Sequence, residues 1–342
     1  MGKKIIISFI IPAHNASKTI EKAVKSIICD QEVMDKIEII IVENTSSDET
    51  TKKCEELVNT NHNVYLYHSD KGVSNARNKG IEKAKGCWLF FVDADDYLTI
   101  GTTKKLLIDA ESNNADMIMY GYESGNEKVR LVTKDQLFSK ENLNDIKVKM
   151  LKNPTRYMTV WSKLLRKEII VNQEISFNSE LRLAEDGDFI INYNRYCRLI
   201  KLSSIIGYHY TANSISTVHE YDGNKARDYI TALITSKKAI ADENDVIKKA
   251  YNFYIMMHLN VIMVHEVFAV ENKLNWWKQV GLLRTLAQTE TFKKAIQETK
   301  ISECKTGRML PILFIKMHLY NLAGFLFRAR IWQNKRKELF DK

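Results

Sequence analysis

The apolar run Phe90-Phe91-Val92 opens directly into the carboxylate cluster Asp93-Ala94-Asp95-Asp96. In an extended chain, alternation puts Asp93 and Asp95 on one side. Like charges so close cost stability unless a cation or a hydrogen-bond donor compensates them. Hard oxygen ligands of this kind suit Mg²⁺ or Mn²⁺, which binds through one or two carboxylates together with substrate phosphates. The plainer use of the same residues is an acidic helix start, with Asp95 and Asp96 capping the next turn. Upstream, Gly72-Val73-Ser74-Asn75-Ala76-Arg77-Asn78-Lys79-Gly80 flanks one arginine with small residues on a helical stretch. Arg77 can neutralise a phosphate, hold the aspartate cluster, or stand as an ordinary surface arginine. Downstream, Glu185, Asp186 and Asp188 precede the apolar Phe189-Ile190-Ile191. That order reads as a helix start facing a cleft, or as acidic residues that merely favour a helix N-terminus.

Such groups need elements to carry them. Ile5–Ile11, Ile37–Val42, Val64–Tyr67, Leu89–Val92 and Met117–Tyr120 are short, apolar and rich in β-branched residues, as buried parallel strands are. Helical patterns begin between them near Ser17, Ser47 and Val73, with Ser17 and Ser47 as expected N-caps. This βαβαβ rhythm predicts an α/β fold, a mostly parallel sheet with helices on both faces. Ligands of such sheets bind at the carboxyl ends of the strands, where His14-Asn15, Glu43-Asn44 and the aspartate cluster fall. From Thr211 to Asp222 the chain turns polar, and the expected boundary divides it into 1–217 and a helical 218–342. In the second part Met256, Leu259, Met263 and Val267 recur at helical spacing and predict a core-facing helix.

With 342 residues, 45% of them hydrophobic and 27% charged, the chain has the composition of a folded globular protein. Five scattered cysteines (Cys29, Cys54, Cys87, Cys197, Cys304) lack metal-ligand spacing and read as reduced thiols, which predicts a cytoplasmic protein. The apolar start at Ile5 runs into Pro12 and His14 without a small-residue cleavage site, so a strand is expected there rather than a signal peptide. Ile6 also stands where myristoylation wants Ser or Thr. The formal charge of +9 suits anionic partners without choosing among nucleic acid, lipid and nucleotide phosphate. No nucleic-acid-binding motif accompanies it, so a nucleic-acid partner is not expected.

Met309–Phe327 is strongly apolar, but Lys316 and His318 interrupt it and Arg328, Arg330, Lys335, Arg336 and Lys337 follow. A spanning helix needs about 20 mostly apolar residues. The segment therefore reads either as an amphipathic helix lying on an anionic membrane surface or as a core helix with a solvated basic end.

Taken in order, these motifs resemble the inverting family 2 glycosyltransferases of the GT-A fold. The likeness runs through Ser8–Asn15, Ile41–Asp48, Gly72–Asn78 and Asp93–Asp96, then Trp161-Ser162-Lys163-Leu164, Ala184–Phe189, Tyr208-His209-Tyr210 and Ser214-Ile215-Ser216. Each piece is weakly specific; their order over the first two-thirds of the chain is highly so. The resemblance implies transfer of a sugar from a UDP-sugar, or another nucleotide-diphosphate sugar, to an acceptor hydroxyl. The acceptor it suggests is a surface-polysaccharide, lipopolysaccharide or teichoic-acid-type precursor, free or lipid-linked. Pro12, Ala13, His14, Asn15, Glu43, Ser74, Arg77, Asp93, Ala94, Asp95 and Lys163 are the implied nucleotide-sugar residues. Glu43 would accept the uracil imide N–H, a task a carboxylate fits. His14 replaces the tyrosine more usual in its motif.

Asp95 would hold Mn²⁺ or Mg²⁺, with Asp93, His209 or His219 as further candidate ligands and Asp96 as a second ligand or a helix cap. Asp186 would be the catalytic base, with Glu185 beside it. Thr211 stands where many relatives have an arginine, which shifts phosphate neutralisation towards the metal, Arg77 and Lys163. The resemblance also implies a place at the inner face of the plasma membrane, and a homo-oligomer is compatible with it. A sugar-nucleotide nucleotidyltransferase would want a glycine-rich loop that Pro12–Ser17 lacks, and an inactive scaffold would not need Asp93, Asp95 and Asp186.

Overall fold

The structure, a computed structural model, describes residues 4–28, 31–211, 221 and 223–340, without the side chains of 31–32 and 337–340. Cys29, Ser214-Ile215-Ser216, His219 and the expected 217/218 boundary lie outside the described residues. The chain forms two compact units, one of residues 1–146 and 159–212, the other of 147–158 and 213–342.

The first unit is built on β1 (Ile7–Ala13), α1 (Ile20–Ile28), β2 (Ile37–Glu43), α2 (Thr50–Thr60), β3 (Val64–His68), α3 (Val73–Lys83) and β4 (Trp88–Phe91). It continues with β5 (Tyr97–Leu98), α4 (Thr102–Ser112), β6 (Met117–Ser124), β7 (Glu127–Val129) and β8 (Gln136–Phe138). After α5 (Leu143–Lys152), most of which belongs to the second unit, and α6 (Pro154–Tyr157), which lies wholly in it, the first unit resumes with β9 (Lys163–Arg166), α7 (Lys167–Asn172), α8 (Glu185–Asn194) and β10 (Ile200–Tyr210). The strands form one sheet in the order β3-β2-β1-β4-β9-β6-β10-β5, with β7 on β6 and β8 on β10.

β1, β2, β3 and β4 pair in parallel. The antiparallel β9 sits between β4 and β6, so β6 runs the same way as β4 and β10 runs parallel to it. All five apolar runs expected as strands are strands, and they point in one direction. β2 and β4 are buried along their whole length, which is why their residues do not alternate with polar ones.

Because the chain passes from β1 outward to β2 and β3 and then returns to β4 on the other side of β1, the strand order reverses between β1 and β4. A crevice opens at the carboxyl ends at such a point. One face of the sheet packs Phe9, Ile11, Ile39, Ile41 and Phe90 against Ile20, Val24 and Leu106. On the other face the ring of Phe91 meets Phe177 at 5.5 Å and Phe189 at 6.3 Å, and those two stack at 4.0 Å.

Two local expectations are corrected. The helices begin at Ile20 and Thr50 rather than beside Ser17 and Ser47. The Ser17 N–H instead donates to Asp48, and Ser47 donates to Asn15, so the loops after β1 and β2 tie each other together. Asp48, which also accepts the Thr50 N–H at 3.0 Å, takes the stabilising place at the start of α2.

The second unit carries α9 (Lys225–Ile240), α10 (Asp245–Ile262), α11 (Trp276–Ala287), α12 (Glu290–Glu298), α13 (Leu310–Lys316) and α14 (Tyr320–Phe340). Asn244 starts α10 by accepting the Val246 and Ile247 N–H groups, and a single π turn, Met263–Val267, extends it. Met256, Leu259, Met263 and Val267 are buried, as their spacing predicts. The apolar stretch of the tail is two helices broken where His318 adopts φ 59°. Among the described residues no helix is long and apolar enough to cross a membrane.

Candidate active site

α3 delivers the centre of the site. Gly72 precedes it with φ 120°, a conformation that favours glycine. The buried Asn44 fixes this start: its side-chain oxygen accepts the Gly72 N–H at 2.9 Å and its amide donates to Gly72 O at 2.7 Å. A Cβ on Gly80 would lie 2.3 Å from Ile10 Cγ2, so glycine there lets α3 lie directly on β1.

Held in this way, Arg77 is buried to 4% exposure and points its guanidinium at three carboxylates. Nη1 donates to Asp186 Oδ1 at 2.7 Å and to Glu185 Oε1 at 3.0 Å, and Nη2 donates to Asp93 Oδ1 at 3.2 Å. Of the aspartate cluster that Arg77 was expected to hold, it contacts Asp93, and its other two partners, Glu185 and Asp186, come from the start of α8. Asn78, its neighbour, exchanges two 2.8 Å hydrogen bonds with the backbone of Phe177. Phe177 and Phe189 then seat the N-terminus of α8, which carries Glu185 and Asp186, against β4.

Asp186 Oδ2 accepts the Val160 N–H at 3.0 Å, so both carboxylate oxygens are anchored. Ala184, before the helix, has φ 60°, a left-handed conformation that is uncommon outside glycine and that turns the two acidic side chains towards Arg77.

The aspartate cluster is a turn rather than an extended strand end: the Asp96 N–H donates to Asp93 O at 3.0 Å. The expectation that Asp93 and Asp95 share one side of a strand is thus corrected, since β4 ends at Phe91. Asp96 does not cap a helix either, because the two-residue strand β5 follows it. Its buried carboxylate instead accepts the Tyr208 hydroxyl at 2.7 Å and the Thr211 N–H at 2.7 Å. The same Tyr208 oxygen accepts the Asp93 N–H at 3.1 Å. Tyr208 stacks on Trp161 at 4.8 Å, and Tyr210 stacks on that indole at 5.5 Å.

Burial is the largest influence on these acids. It pushes Glu185 up to about 7, helped by Asp186 and opposed by Arg77. It raises Asp93 to about 6 against the pull of Arg77, with the charges of Asp186 and Asp95 adding to the rise. The Asp93 side chain keeps 28% exposure, so water moderates that shift. Asp96 rises to about 8 through burial and the Asp93 charge. Buried Asp188 rises to about 6. Lys163 is lowered to about 7 by burial, against the attraction of Asp186, and its ammonium reaches Thr159 Oγ1 at 3.2 Å and Trp161 O at 3.4 Å.

The nucleotide-side candidates gather at the ends of β1 and β2. Ala13 O accepts the Asn44 N–H at 2.9 Å, continuing the ladder beyond half-buried Pro12. His14 Nδ1 lies 2.6 Å from Asn44 O, which fixes the exposed imidazole. Asn15 has φ 48° and its N–H donates to Ser46 Oγ at 3.1 Å. Glu43 accepts the Ser46 N–H at 2.5 Å and sits 3.1 Å from His68 Nδ1. Its acidity increases despite burial, because these donors favour the charged form. Ser74, on α3, has a buried hydroxyl with no hydrogen-bond partner.

The acidic turn fits a divalent cation through its donor set. Asp96 spends both oxygens on Tyr208 and Thr211 and Asp93 gives one to Arg77, while Asp95 is a half-buried carboxylate on the same turn. Among the described residues no group of three or more His, Cys, Asp or Glu is arranged to hold a metal. One or two carboxylates completed by substrate phosphates is the arrangement such ions commonly take. His209 stacks on Tyr97 at 4.2 Å, with Glu123 3.7 Å from its Nδ1, an arrangement of structural contacts.

Residues 8–172 match the family model described as glycosyl transferase family 2. Over that stretch the chain carries a domain of this family. It is 25% identical to the uncharacterized glycosyltransferase EpsJ of Bacillus subtilis over 95% of its own length and 96% of that protein. It is also 25% identical to the poly(ribitol-phosphate) beta-N-acetylglucosaminyltransferase TarP of Staphylococcus aureus, over 72% of each chain. Its fold matches that of S. aureus TarS residues 1–349, solved in complex with UDP-GlcNAc, with a TM-score of 0.69 at 16% identity, covering 96% of this chain and 92% of that one. The chain is a glycosyltransferase of the GT-A fold with a helical C-terminal region.

Within this family 2 enzyme, the structure brings together Arg77, Asp93, Glu185 and Asp186, and holds the Asp95 turn beside them. His14, Asn15 and Glu43 form a second set with Asn44, Ser46 and His68. Sequence reasoning gave no role to Asn44, Asn78, Phe189 or Tyr208. All four fall inside the motifs that carried the family resemblance, so their positions were visible while their partners, among them Ser69, Phe177, Phe91 and Asp96, were not.

Proposed function

We propose that the chain is an inverting glycosyltransferase that moves a sugar from a UDP-sugar to an acceptor hydroxyl, with Asp186 as the base. The observation that carries this reading is the junction at Arg77. It fixes Asp186, which would meet the acceptor, in the same network as Asp93, on the turn that would meet the donor sugar.

Glycosyl transfer passes through an oxocarbenium-like state at the sugar C1. Asp186 would accept the proton of the attacking hydroxyl, while Arg77 and the Val160 N–H keep its carboxylate aimed. Attack from the face opposite the nucleotide inverts C1 without a covalent intermediate. Mn²⁺ or Mg²⁺, when bound at Asp95 with Asp93 beside it, would supply electrostatic stabilisation of the departing diphosphate. Glu43, with His14, Asn15, Pro12 and Ala13, would receive the nucleoside; Ser74 and Lys163 would border the donor. Arg77 would act on phosphates only through the acids it holds.

UDP as the nucleoside diphosphate is supported by the carboxylate of Glu43 at the end of β2 and by the UDP-GlcNAc complex of the TarS fold relative. A polyol-phosphate or surface-glycan acceptor is supported by TarP among the relatives. The peripheral location at the inner face of the plasma membrane, where a lipid-linked acceptor would be met, is supported by the basic C-terminal stretch.

The test is a thermal-unfolding screen of UDP-sugars, each with Mn²⁺ and with excess chelator. Ligand at 100 times its Kd stabilises by about 2.7 kcal/mol. One UDP-sugar should raise Tm only when the cation is present, and the same sugar should be turned over. Protection by none of them, or turnover untouched by chelator, overturns the metal-assisted UDP-sugar reading.

A further inference from the structure

α14 has two apolar faces. The inward one is packed tightly: Ala323 and Phe327 are fully buried, and Phe327 stacks on Phe268 at 5.9 Å. A Cβ on Gly324 would come within 2.9 Å of Trp276. This face holds the helix on the core of its unit.

Leu322, Phe325, Ala329 and Trp332 recur at i, i+3, i+7 and i+10, a stripe on the opposite side of the same helix. Leu322 is 46%, Phe325 59% and Trp332 61% exposed. Folding of this unit alone does not explain two large aromatic side chains and a leucine aligned in water. The Trp276 ring of α11 meets Phe325 at 4.6 Å, which carries the stripe onto a second helix.

Along the stretch of chain that carries the stripe the charge has one sign. From Met309 to Arg336 there are five Lys or Arg residues and no Asp or Glu. Arg328 lies over the Trp276 ring at 4.8 Å and Arg336 over Trp332 at 5.0 Å, so guanidinium groups border the apolar strip directly.

We propose that this outward stripe of α14, with Trp276 and its flanking arginines, is the surface by which the enzyme lies on an anionic lipid bilayer. Aromatic and aliphatic side chains on an interfacial helix enter the headgroup region, and flanking cations meet the lipid phosphates. The stripe is a line along one exposed helix rather than a groove, which suits a fluid sheet better than a shaped protein partner. A second copy of the chain on the same face would set Arg328, Lys335 and Arg336 against their own equivalents. Like charges brought together in that way oppose association.

This proposal deepens the peripheral placement given above, and its test separates the two. The full chain is floated with vesicles of phosphatidylcholine alone and of phosphatidylcholine with phosphatidylglycerol. The parent should bind the anionic vesicles and be displaced by salt. Bilayers with bromine-labelled acyl chains should quench its tryptophan fluorescence, and less so in Trp332→Phe.

Phe325→Glu with Trp332→Glu should abolish flotation while Tm and protection by the UDP-sugar stay at parental values. Lys335→Gln with Arg336→Gln should lower partitioning by roughly tenfold or more, since each cation near such a surface counts for about fivefold. Unchanged flotation of the folded Glu variant, absence of parental binding or quenching, or a change in its sedimenting mass from dimer to monomer would each overturn the proposal. Loss of UDP-sugar protection in the parent would instead strike the reading of the active site.

Discussion

The Arg77 guanidinium and the Asp186 carboxylate, 109 positions apart in the chain, meet at 2.7 Å. One is almost fully buried and the other is 21% exposed, so the pair joins the core to the open side of the site. Asp186 thereby has a fixed direction before any substrate arrives, which is what a general base needs.

Asp186→Asn keeps the shape of this contact and removes the proton acceptor. Transfer should fall by about 10²-fold or more, while donor-dependent thermal protection persists. Turnover near the parental rate would remove Asp186 from the chemistry. Glu185, held by the same arginine and raised to about 7, would then be the acid to examine.

Arg77→Met leaves Asp93, Glu185 and Asp186 without their shared cation. Removing one partner of a buried ion pair typically costs about 3–5 kcal/mol. Asp93 and Glu185, already raised, would then titrate still higher in the folded state. An acid with a raised folded value stabilises the fold at low pH and loses that contribution as pH rises through it. The deficit of the variant in urea unfolding should therefore shrink as pH is lowered below the Glu185 value of about 7. A deficit constant across that window would mean that Arg77 does not compensate these acids.

Tyr208→Phe keeps the ring on Trp161 but deletes the hydroxyl shared by Asp96 and the Asp93 N–H. A buried group left unsatisfied costs about 1–3 kcal/mol. Asp96, already raised to about 8, should move further up. Donor affinity should weaken along with stability because the acidic turn loses its tie to β10. Equal stability and donor affinity in the two proteins would show that the turn holds itself.

Lys163 is a base lowered from an ordinary 10.5 to about 7, chiefly by burial. Between those two values the unfolded chain binds more protons than the folded one, so this group makes stability rise with pH. Lys163→Met has no such term. The stability difference between variant and parent should favour the variant most near pH 7 and move towards the parent as pH approaches 10. A difference independent of pH would place the Lys163 ammonium in a better-solvated setting than its burial indicates.

The sequence by itself determined what neighbours along the chain determine. The Ile-rich runs became strands of one polarity, and each polar group at or just past a strand end, His14, Glu43 or Asp93, had to lie at the same edge of the sheet. Order among the motifs was enough to indicate the family. The turn at Asp93–Asp96 was less legible, because Tyr208 and Thr211 of a distant strand compete for the carboxylate that local pattern assigns to a helix cap.

Tertiary structure alone decided that Arg77 serves three acids and that α8 begins where they meet. That outcome depends on the reversal of strand order beside β1 and on the Phe91, Phe177 and Phe189 contacts, none of which has a local signature. It likewise decided which face of α14 turns inward. Residues on opposite sides of that helix are similarly apolar, so the presence of Phe268 against Phe327 on one side distinguishes a core face from an exposed one.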